Sequence, residues 1–205
     1  MSEKDAKEFV SSDLFRTDLI KRLKTNHYIF SVSEVANGAG LYNYQSSLTC
    51  DDITLFSYYA KGHTGFAIEL ETRHLPQSFL QYCSRVLYTD VYPRIDMSCT
   101  QEEVDHKLVE IISTKHRNWS NEKEWRFVLD AGNLEKIDLN IKSKGKGIIC
   151  DIPKKAISSV ILGCKMCEQD IQTIIEIIKD THIRIYKTHE HNTKYQLDLE
   201  LIKNY

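Results

Sequence analysis

Residues 119–129 read WSNEKEWRFVL, and this stretch carries the strongest information about the fold. Alternate side chains of a β-strand point to opposite faces of the sheet. Three apolar side chains share one face, which we expect to be buried: Trp125, Phe127 and Leu129. Three charged side chains share the other face: Glu122, Glu124 and Arg126. The alternation therefore predicts a strand over residues 122–129, inside a sheet and with one polar face.

Hydrophobic periodicity predicts the elements on both sides of this strand. Further strands are predicted over residues 28–33, 66–70, 85–92, 147–152, 158–162, 182–187 and 194–201. Helices are predicted over residues 12–25, from residue 51 or 52 up to a left-handed cap at Gly62, from Thr100 to residue 112, and over residues 168–179. These strands and the four scattered helices indicate an α+β fold with a mixed, largely antiparallel sheet. We expect a single domain over residues 1–205.

Composition excludes several classes of protein. Hydrophobic residues make up 41% of the 205 residues and charged residues 27%, which is the balance of a globular domain. The formal net charge is −2, so there is no basic excess to hold a polyanion, and we do not expect nucleic-acid binding. No stretch has the roughly 20 apolar residues of a membrane helix, and residues 1–5 are charged, unlike a signal peptide. The sequence predicts a cytoplasmic protein that does not enter a membrane.

The charged face of the 122–129 strand is the candidate functional site. Successive residues on one strand face lie about 7 Å apart, where two ionised carboxylates repel by roughly 2 kcal/mol at an effective dielectric near 20. One of the two glutamates should therefore titrate high unless Arg126 offsets the repulsion. Such a face can hold a polar ligand, stabilise a developing cation or act as a general base. An exposed row of charges and a structural ion pair are the alternative interpretations.

Four motifs follow one another along the chain. They are FSVSE at 30–34, FSYYAKGHTGF at 56–66, WSNEKEWR at 119–126 and ISSVILG at 157–163. In this order they resemble the bacterial domain-of-unknown-function family 2971. Family members typically carry a longer amino-terminal portion that residues 1–27 do not match, so the resemblance implies a short member with an amino-terminal helix over 1–27 and a family-like core over 28–202. It implies a bacterial accessory protein without implying a reaction.

The first functional hypothesis is a non-catalytic binding module. A small polar ligand or a protein partner would be recognised by the charged strand face together with side chains from two of the other motifs. We expect these residues to gather in one cleft: Ser31, Tyr58, His63, Glu122, Glu124 and Arg126. For His63 a structural role also stays open, because it follows the helix cap at Gly62.

The second hypothesis is an NAD-consuming enzyme. In ADP-ribosyltransferases a strand with an E-x-E pattern places one glutamate against the nicotinamide ribose, where it stabilises an oxocarbenium-like transition state. By this analogy Glu124 is the ribose carboxylate, Glu122 orients the acceptor, and Ser31 and Tyr58 line the pocket. NAD is the cofactor that this hypothesis requires, and the binding-module hypothesis requires none.

We expect no metal site. Cys164 and Cys167 have the spacing of metal ligands, and His189 and His191 could complete a set of four. The two cysteines lack a second matched pair, however, and the helix that follows them needs no metal. The lysine- and glycine-rich residues 142–147 lack the full phosphate-loop pattern and are interpreted as a hairpin turn.

Overall fold

The computed structural model of this protein describes Lys21 and residues 26–34, 53–93 and 101–203, with the backbone alone for 101–105. The chain divides into two compact units, one of residues 1–34 and 76–151 and the other of residues 35–75 and 152–205. Helices and mostly antiparallel sheets occur together, which confirms the α+β fold class. The single domain over residues 1–205 stays a prediction.

Eleven strands and four α-helices lie in the described residues. The strands are β1 His27–Ser33, β2 Phe66–Leu70, β3 Cys83–Arg85, β4 Leu87–Thr89, β5 Thr114–His116, β6 Glu124–Asp130, β7 Ile141–Lys144, β8 Gly147–Cys150, β9 Ile157–Leu162, β10 Arg184–Glu190 and β11 Leu197–Lys203. The helices are α1 Ile53–Tyr59, α2 Gln77–Leu80, α3 Gln101–Ile112 and α4 Glu168–Ile178. No helix among them is long and apolar enough to cross a membrane.

Most of the predicted elements are present, with shifted ends. The predicted strand over 85–92 is interrupted at Val86, which lies between the short strands β3 and β4. The backbone N–H of Val86 donates to the carbonyl oxygen of Glu124 in β6 at 2.9 Å. The hairpin predicted at 142–147 is confirmed as β7 and β8, with Gly145 in the left-handed region at φ 60°. Of the helix predicted over 12–25 only Lys21 is among the described residues, and the capping residue Thr100 lies outside them.

The first unit is built on a three-stranded antiparallel sheet in the order β1–β6–β3. Its central strand β6 is buried on both faces, since Phe127, Val128 and Leu129 are all at most 5% exposed. The ring of Phe127 stacks on Phe79 of α2, with centroids 4.4 Å apart and planes at 11°. The predicted burial of one strand face is therefore confirmed for Phe127 and Leu129, whereas Trp125 is only half-buried.

The second unit is a four-stranded sheet in the order β11–β10–β9–β2, in which only β9 and β10 run parallel. Alternate residues of β9 belong to two different hydrophobic clusters, so the sheet is covered on both faces. The isoleucine stripe of α4 packs over Val160 and Leu162. Phe56 of α1 packs over Ile161 on the opposite face.

Two of the sequence motifs meet within this second unit. The loop after α1 carries Gly62 at φ 61°, as its predicted cap requires, and also His63 at φ 70°. The carbonyl of His63 accepts the backbone N–H of Lys165 at 3.0 Å, and Gly163 donates to Gly65 at 2.9 Å. A Cβ on Gly163 would lie 2.1 Å from the His63 carbonyl oxygen, so only glycine permits this approach.

Candidate functional site

The charged strand face begins with a turn rather than with a strand. Residues Arg117–Glu122 form a 3₁₀ turn, and Lys123 ends it in the left-handed conformation at φ 46° and ψ 44°. The turn forms because His116 accepts the backbone N–H of Asn118 at 3.2 Å and Lys123 donates to Ser120 at 3.2 Å. The predicted strand over 122–129 therefore starts at Glu124, and the prediction is wrong in placing Glu122 on the strand.

Glu122 and Glu124 nevertheless converge, because both carboxylates bind the same ammonium group. Lys115 of β5 donates from Nζ to Oε2 of Glu122 and, at 3.1 Å, to Oε2 of Glu124. Both glutamates are buried, at 8% and 7% exposed. The same Nζ lies 5.2 Å from the centroid of the Trp119 ring, within range of a cation–π interaction. The left-handed Lys123 between the two glutamates thus directs both side chains to one point.

Arg126 compensates the charge of Glu124 from the same face of β6. Its Nε donates to Oε1 of Glu124 at 2.7 Å and its Nη2 donates to Oε2 at 3.0 Å. Its Nη1 donates to the carbonyl oxygen of Ile112, the last residue of α3. A cation at that end of a helix is favourable because the helix carbonyls leave a partial negative charge there. Arg126 therefore joins the charged face to the end of α3.

Ser31 completes this cluster from the neighbouring strand. It lies directly opposite Arg126 in the antiparallel pairing of β1 with β6, so the two side chains share a face. The Ser31 side chain stabilises the ionised form of the neighbouring Glu124 carboxyl and so lowers its pKa. Four of the six predicted site residues are therefore together in the first unit: Ser31, Glu122, Glu124 and Arg126.

The protonation of Glu124 follows from these contacts. Burial by itself raises its pKa, but hydrogen bonds from Arg126, Ser31 and Lys115 outweigh burial and bring the pKa to about 2. Burial lowers the pKa of Lys115, but its bonds to Glu122 and Glu124 raise it above its usual value. The sequence predicts a raised pKa for one of the two glutamates unless Arg126 offsets the repulsion between them. At Glu124 the hydrogen bonds from Arg126 do offset it, and the pKa is lowered instead.

Tyr88 and Lys115 were not found from the sequence. The hydroxyl of Tyr88 accepts the backbone N–H of Glu124 at 2.9 Å, and Tyr88 lies beside Lys115 in the parallel pairing of β4 with β5. Burial raises the pKa of Tyr88, so the hydroxyl keeps its proton at neutral pH. Both residues come from three-residue strands, which are too short to show a periodic pattern. No sequence signal marked either of them.

Tyr58 and His63 lie in the second unit. Tyr58 is 69% exposed on α1. The His63 ring stacks on Phe56, with centroids 6.2 Å apart, and its Nε2 lies 2.9 Å from the hydroxyl oxygen of Ser57. Its backbone N–H donates to the Phe56 carbonyl at 3.2 Å, which confirms that His63 helps to cap α1. A cleft shared by all six residues stays a prediction.

The cluster in the first unit is electrically balanced. Two carboxylates, Glu122 and Glu124, face two cations, Lys115 and Arg126, at hydrogen-bonding distance. Hydrogen bonds fix the orientation of each charged group. The exposed Trp119 ring and the exposed Ser31 lie at the border of the cluster. Such an array can present donors and acceptors to a ligand without moving. Across residues 26–34, 53–93 and 101–203, no group of three or more His, Cys, Asp or Glu could hold a metal ion.

Comparison with known proteins gives one family. Residues 55–127 match the model of a family described as "Protein of unknown function (DUF2971)". The matched segment includes Tyr58 of α1, His63 in the loop that follows, and the cluster from Lys115 to Arg126. No curated protein and no solved structure matches the chain significantly.

Proposed function

We propose, on the premise that this chain belongs to the DUF2971 family, that it is a binding module for a small polar ligand at the Lys115–Glu122–Glu124–Arg126 cluster. The observation that supports this most directly is the convergence of two buried carboxylates on one ammonium group. Buried ion pairs are often no more stabilising than apolar side chains of similar volume. A cluster of four charged groups is therefore better explained by recognition than by stability.

The backbone at the cluster supports the same conclusion. Lys123 is held in the left-handed region, which costs a non-glycine residue about 1 kcal/mol or more. Residues kept in such conformations cluster at binding and active sites, where the surrounding structure maintains them. The strain at Lys123 is what aims Glu122 and Glu124 at the same point.

Binding is better supported than acid–base catalysis. A general base is most effective when its pKa lies near the operating pH. Glu124 has a pKa of about 2, because Arg126, Ser31 and Lys115 all stabilise the ionised form. It therefore accepts a proton poorly at neutral pH, while it remains a strong and fixed hydrogen-bond acceptor.

The accessible border of the cluster indicates the chemistry of the ligand. Trp119 is 41% exposed, Ser31 is exposed, and the Lys115 side chain keeps 21% of its surface. Because the four charges cancel, a ligand gains by exchanging hydrogen bonds rather than by neutralising charge. A ligand with hydroxyl groups and one flat apolar face, such as a sugar or a nucleoside, meets these conditions.

Thermal-shift measurements with sugars, nucleosides, nucleotides and NAD test the proposal. A ligand at a hundred times its dissociation constant adds about 2.7 kcal/mol of apparent stability. We expect such a shift in the wild type and its loss in Glu124→Gln. Glu176→Gln is the matched control, because Glu176 forms an exposed pair with Lys179 on α4 and should leave the shift unchanged. An equal shift in both variants, or no shift with any ligand class, would refute the binding module.

An NAD-consuming transferase is the second candidate, and the lowered pKa of Glu124, to which Arg126, Ser31 and Lys115 contribute, favours it. A carboxylate that stabilises an oxocarbenium-like transition state must be ionised, and Glu124 is ionised at neutral pH. In such a reaction the bond between ribose and nicotinamide breaks, and water or another acceptor takes the ADP-ribosyl group. Measured release of nicotinamide that Glu124→Gln abolishes would establish the enzyme, whereas a pure binding module releases none in either form.

A further inference from the structure

His116 lies where the chain leaves β5 and enters the turn that ends at Glu122. Its Nδ1 atom accepts the backbone N–H of Asn118 at 3.2 Å, which makes His116 the N-cap of the 3₁₀ turn Arg117–Glu122. Serine, threonine, aspartate and asparagine are the usual residues at such a position, because their side-chain oxygens accept this bond. Histidine accepts it only while one ring nitrogen keeps a free lone pair.

The hydrogen bond to Asn118 determines the protonation state of the His116 ring. Because Nδ1 accepts a hydrogen bond, it carries no proton, and the neutral ring carries its proton on Nε2. Nε2 lies 3.7 Å from Oδ1 of Asp90, the residue that follows β4. A second proton would sit on Nδ1 and point at the N–H of Asn118, so that one donor would face another. The protonated ring therefore does not cap the turn.

The charged groups around His116 do not replace the lost cap. Asp90 attracts a protonated ring at Nε2, so it does not restore the bond that is lost at Nδ1. The two side chains are 56% and 50% exposed, and an exposed pair contributes little. Arg117 shares the same carboxylate, with its Nη2 at 3.2 Å from Oδ2 of Asp90. The ammonium group of Lys115, on the preceding residue, is bound by the two glutamates of the cluster.

The turn that His116 caps carries two parts of the candidate site. Glu122 is the last residue of the turn and binds the ammonium group of Lys115. Trp119 lies within the turn, and its ring centroid is 5.2 Å from the same Nζ atom. Asn118 directly precedes Trp119, so release of its N–H loosens the turn beside the tryptophan. The cap at His116 therefore supports the aromatic border of the site.

We propose that His116 is a positioning residue that makes the candidate site sensitive to pH. The neutral ring caps the turn and holds Trp119 beside Lys115, whereas protonation releases the cap and lets Trp119 move away. Histidine is the side chain whose charge ordinarily changes between about pH 5 and pH 8. The inference describes how the proposed binding site is regulated, and its biological meaning rests on that function. Its structural part requires no ligand.

The turn after β6 shows how the same cap is made without a response to pH. Oδ1 of Asp130 accepts the backbone N–H of Gly132 at 2.7 Å and caps the 3₁₀ turn Ala131–Lys136. The donor again lies two residues after the cap. Aspartate ordinarily loses its proton at about pH 4, so it accepts such a bond in neutral and in mildly acidic solution alike. A histidine before the charged cluster adds a pH response that capping alone does not require.

A proton–nitrogen NMR titration of the full chain from about pH 8 to about pH 5.5 tests the proposal. We expect the amide signal of Asn118 and the indole N–H signal of Trp119 to move together, with one midpoint. Protection of the Asn118 amide against hydrogen exchange should fall about fivefold, which corresponds to a capping energy of about 1 kcal/mol. The indole N–H of Trp125 donates to Glu34 at 3.2 Å and is the internal reference that should not move.

Two substitutions separate capping from titration. In His116→Asn the side-chain oxygen caps the turn at every pH of the series, so the Asn118 amide should stay protected and Trp119 should not respond. In His116→Ala the cap is absent throughout, so protection should be low at every pH. His191→Asn is the matched control, because Nδ1 of His191 accepts the backbone N–H of Thr193 at 3.1 Å in the hairpin between β10 and β11. This variant should titrate like the wild type at Asn118 and Trp119.

The outcomes distinguish this proposal from the proposed function. Unchanged protection of Asn118 across the series in the wild type would overturn the pH response. A Trp119 response that persists in His116→Asn would assign it to another group and would overturn the role of His116. Adenosine, glucose and NAD are the probes for binding at about pH 8. The absence of any thermal shift with these probes would count against the binding module and would leave the titration of the two N–H signals intact.

Discussion

Arg126 binds the carboxylate of Glu124 through two hydrogen bonds, Nε–Oε1 of 2.7 Å and Nη2–Oε2 of 3.0 Å, from two residues along the same strand. Its remaining nitrogen, Nη1, donates to the carbonyl oxygen of Ile112. The planar guanidinium provides both directions at once, which an ammonium group does not. One side chain therefore stabilises a buried anion and the end of a helix together.

Loss of the Arg126 guanidinium should destabilise the first unit strongly. Arg126→Met leaves Glu124 buried with one cation fewer, and removal of one partner of a buried pair costs about 3–5 kcal/mol. Arg126→Lys should recover part of that loss, since lysine restores the charge but not the two-bond geometry. Urea denaturation measures both variants. Arg117→Met is the control, because its exposed pair with Asp90 contributes about 1 kcal/mol at most; equal losses in the two Met variants would contradict the role of Arg126.

The stability due to Glu124 should disappear in acid. Its pKa of about 2 in the folded chain lies below the ordinary glutamate value of 4.5, so the folded state favours the ionised form. This contribution is fully present above about pH 4.5 and is lost as the pH falls towards 2. Thermal unfolding of the wild type and of Glu124→Gln at a series of pH values isolates it from the other carboxylates. We expect the advantage of the wild type to shrink between pH 5 and pH 2.5, and a constant difference would be evidence against it.

Lys115 and Glu122 should be energetically coupled. In Lys115→Met both glutamates lose their shared ammonium group, which should cost about 3–5 kcal/mol. Adding Glu122→Gln removes one of the two carboxylates left behind, so the double variant should be more stable than the sum of the single variants predicts. A double-mutant cycle measures this coupling, which we expect at about 1–3 kcal/mol.

The pair Lys107 and Glu110 on α3 provides the comparison for that cycle. Their side chains are 40% and 42% exposed, and their Nζ–Oε2 distance is 2.5 Å. Exposed helix pairs contribute about 0.3–0.5 kcal/mol. Coupling of that small size at Lys115 and Glu122 would show that the buried cluster has no special strength.

Gly163→Ala should disrupt the packing of the loop after α1. The added methyl group would lie 2.1 Å from the His63 carbonyl oxygen and 2.9 Å from that of Gly65, and both are backbone atoms that cannot rotate away. Overpacking of this kind costs about 1–3 kcal/mol or more. Gly147→Ala is the control, because its nearest neighbour would be 3.8 Å away. Equal unfolding free energies in the two variants, measured in urea, would show that the close approach is not required.

Local periodicity explains the elements that the sequence predicted well. The isoleucine stripe of residues 168–179 is α4, and the alternation after Glu124 is β6, because helices and strands repeat their side-chain directions every 3.6 and 2 residues. The same reasoning failed at Glu122, where a 3₁₀ turn and a left-handed Lys123 replace the expected strand. One hydrogen bond to the His116 side chain and one between the backbones of Lys123 and Ser120 hold that turn, and no repeating pattern reports them.

Edge strand β2 shows a second limit of periodicity. Its buried carboxylate, Glu69, accepts hydrogen bonds from Ser158 at 2.8 Å and Ser159 at 2.7 Å. Phe66 and Ile68 on the other face remain about half exposed, at 49% and 52%. Hydrophobicity alone would predict the opposite arrangement, with Phe66 and Ile68 buried and Glu69 exposed. The serines that make the interior side polar come from β9, some 90 residues later in the sequence.

The sequence by itself determined the α+β class, the family motifs and the alternation that puts Glu124 and Arg126 on one strand face, since all of these depend on residues close together along the chain. Only the tertiary structure decided that Lys115 and Tyr88 join them and that the pKa of Glu124 falls to about 2. The physical reason is the distance along the chain between the residues that interact. Side-chain direction repeats locally, whereas the charges and hydrogen bonds that fix protonation come from strands whose neighbours are chosen by long-range pairing.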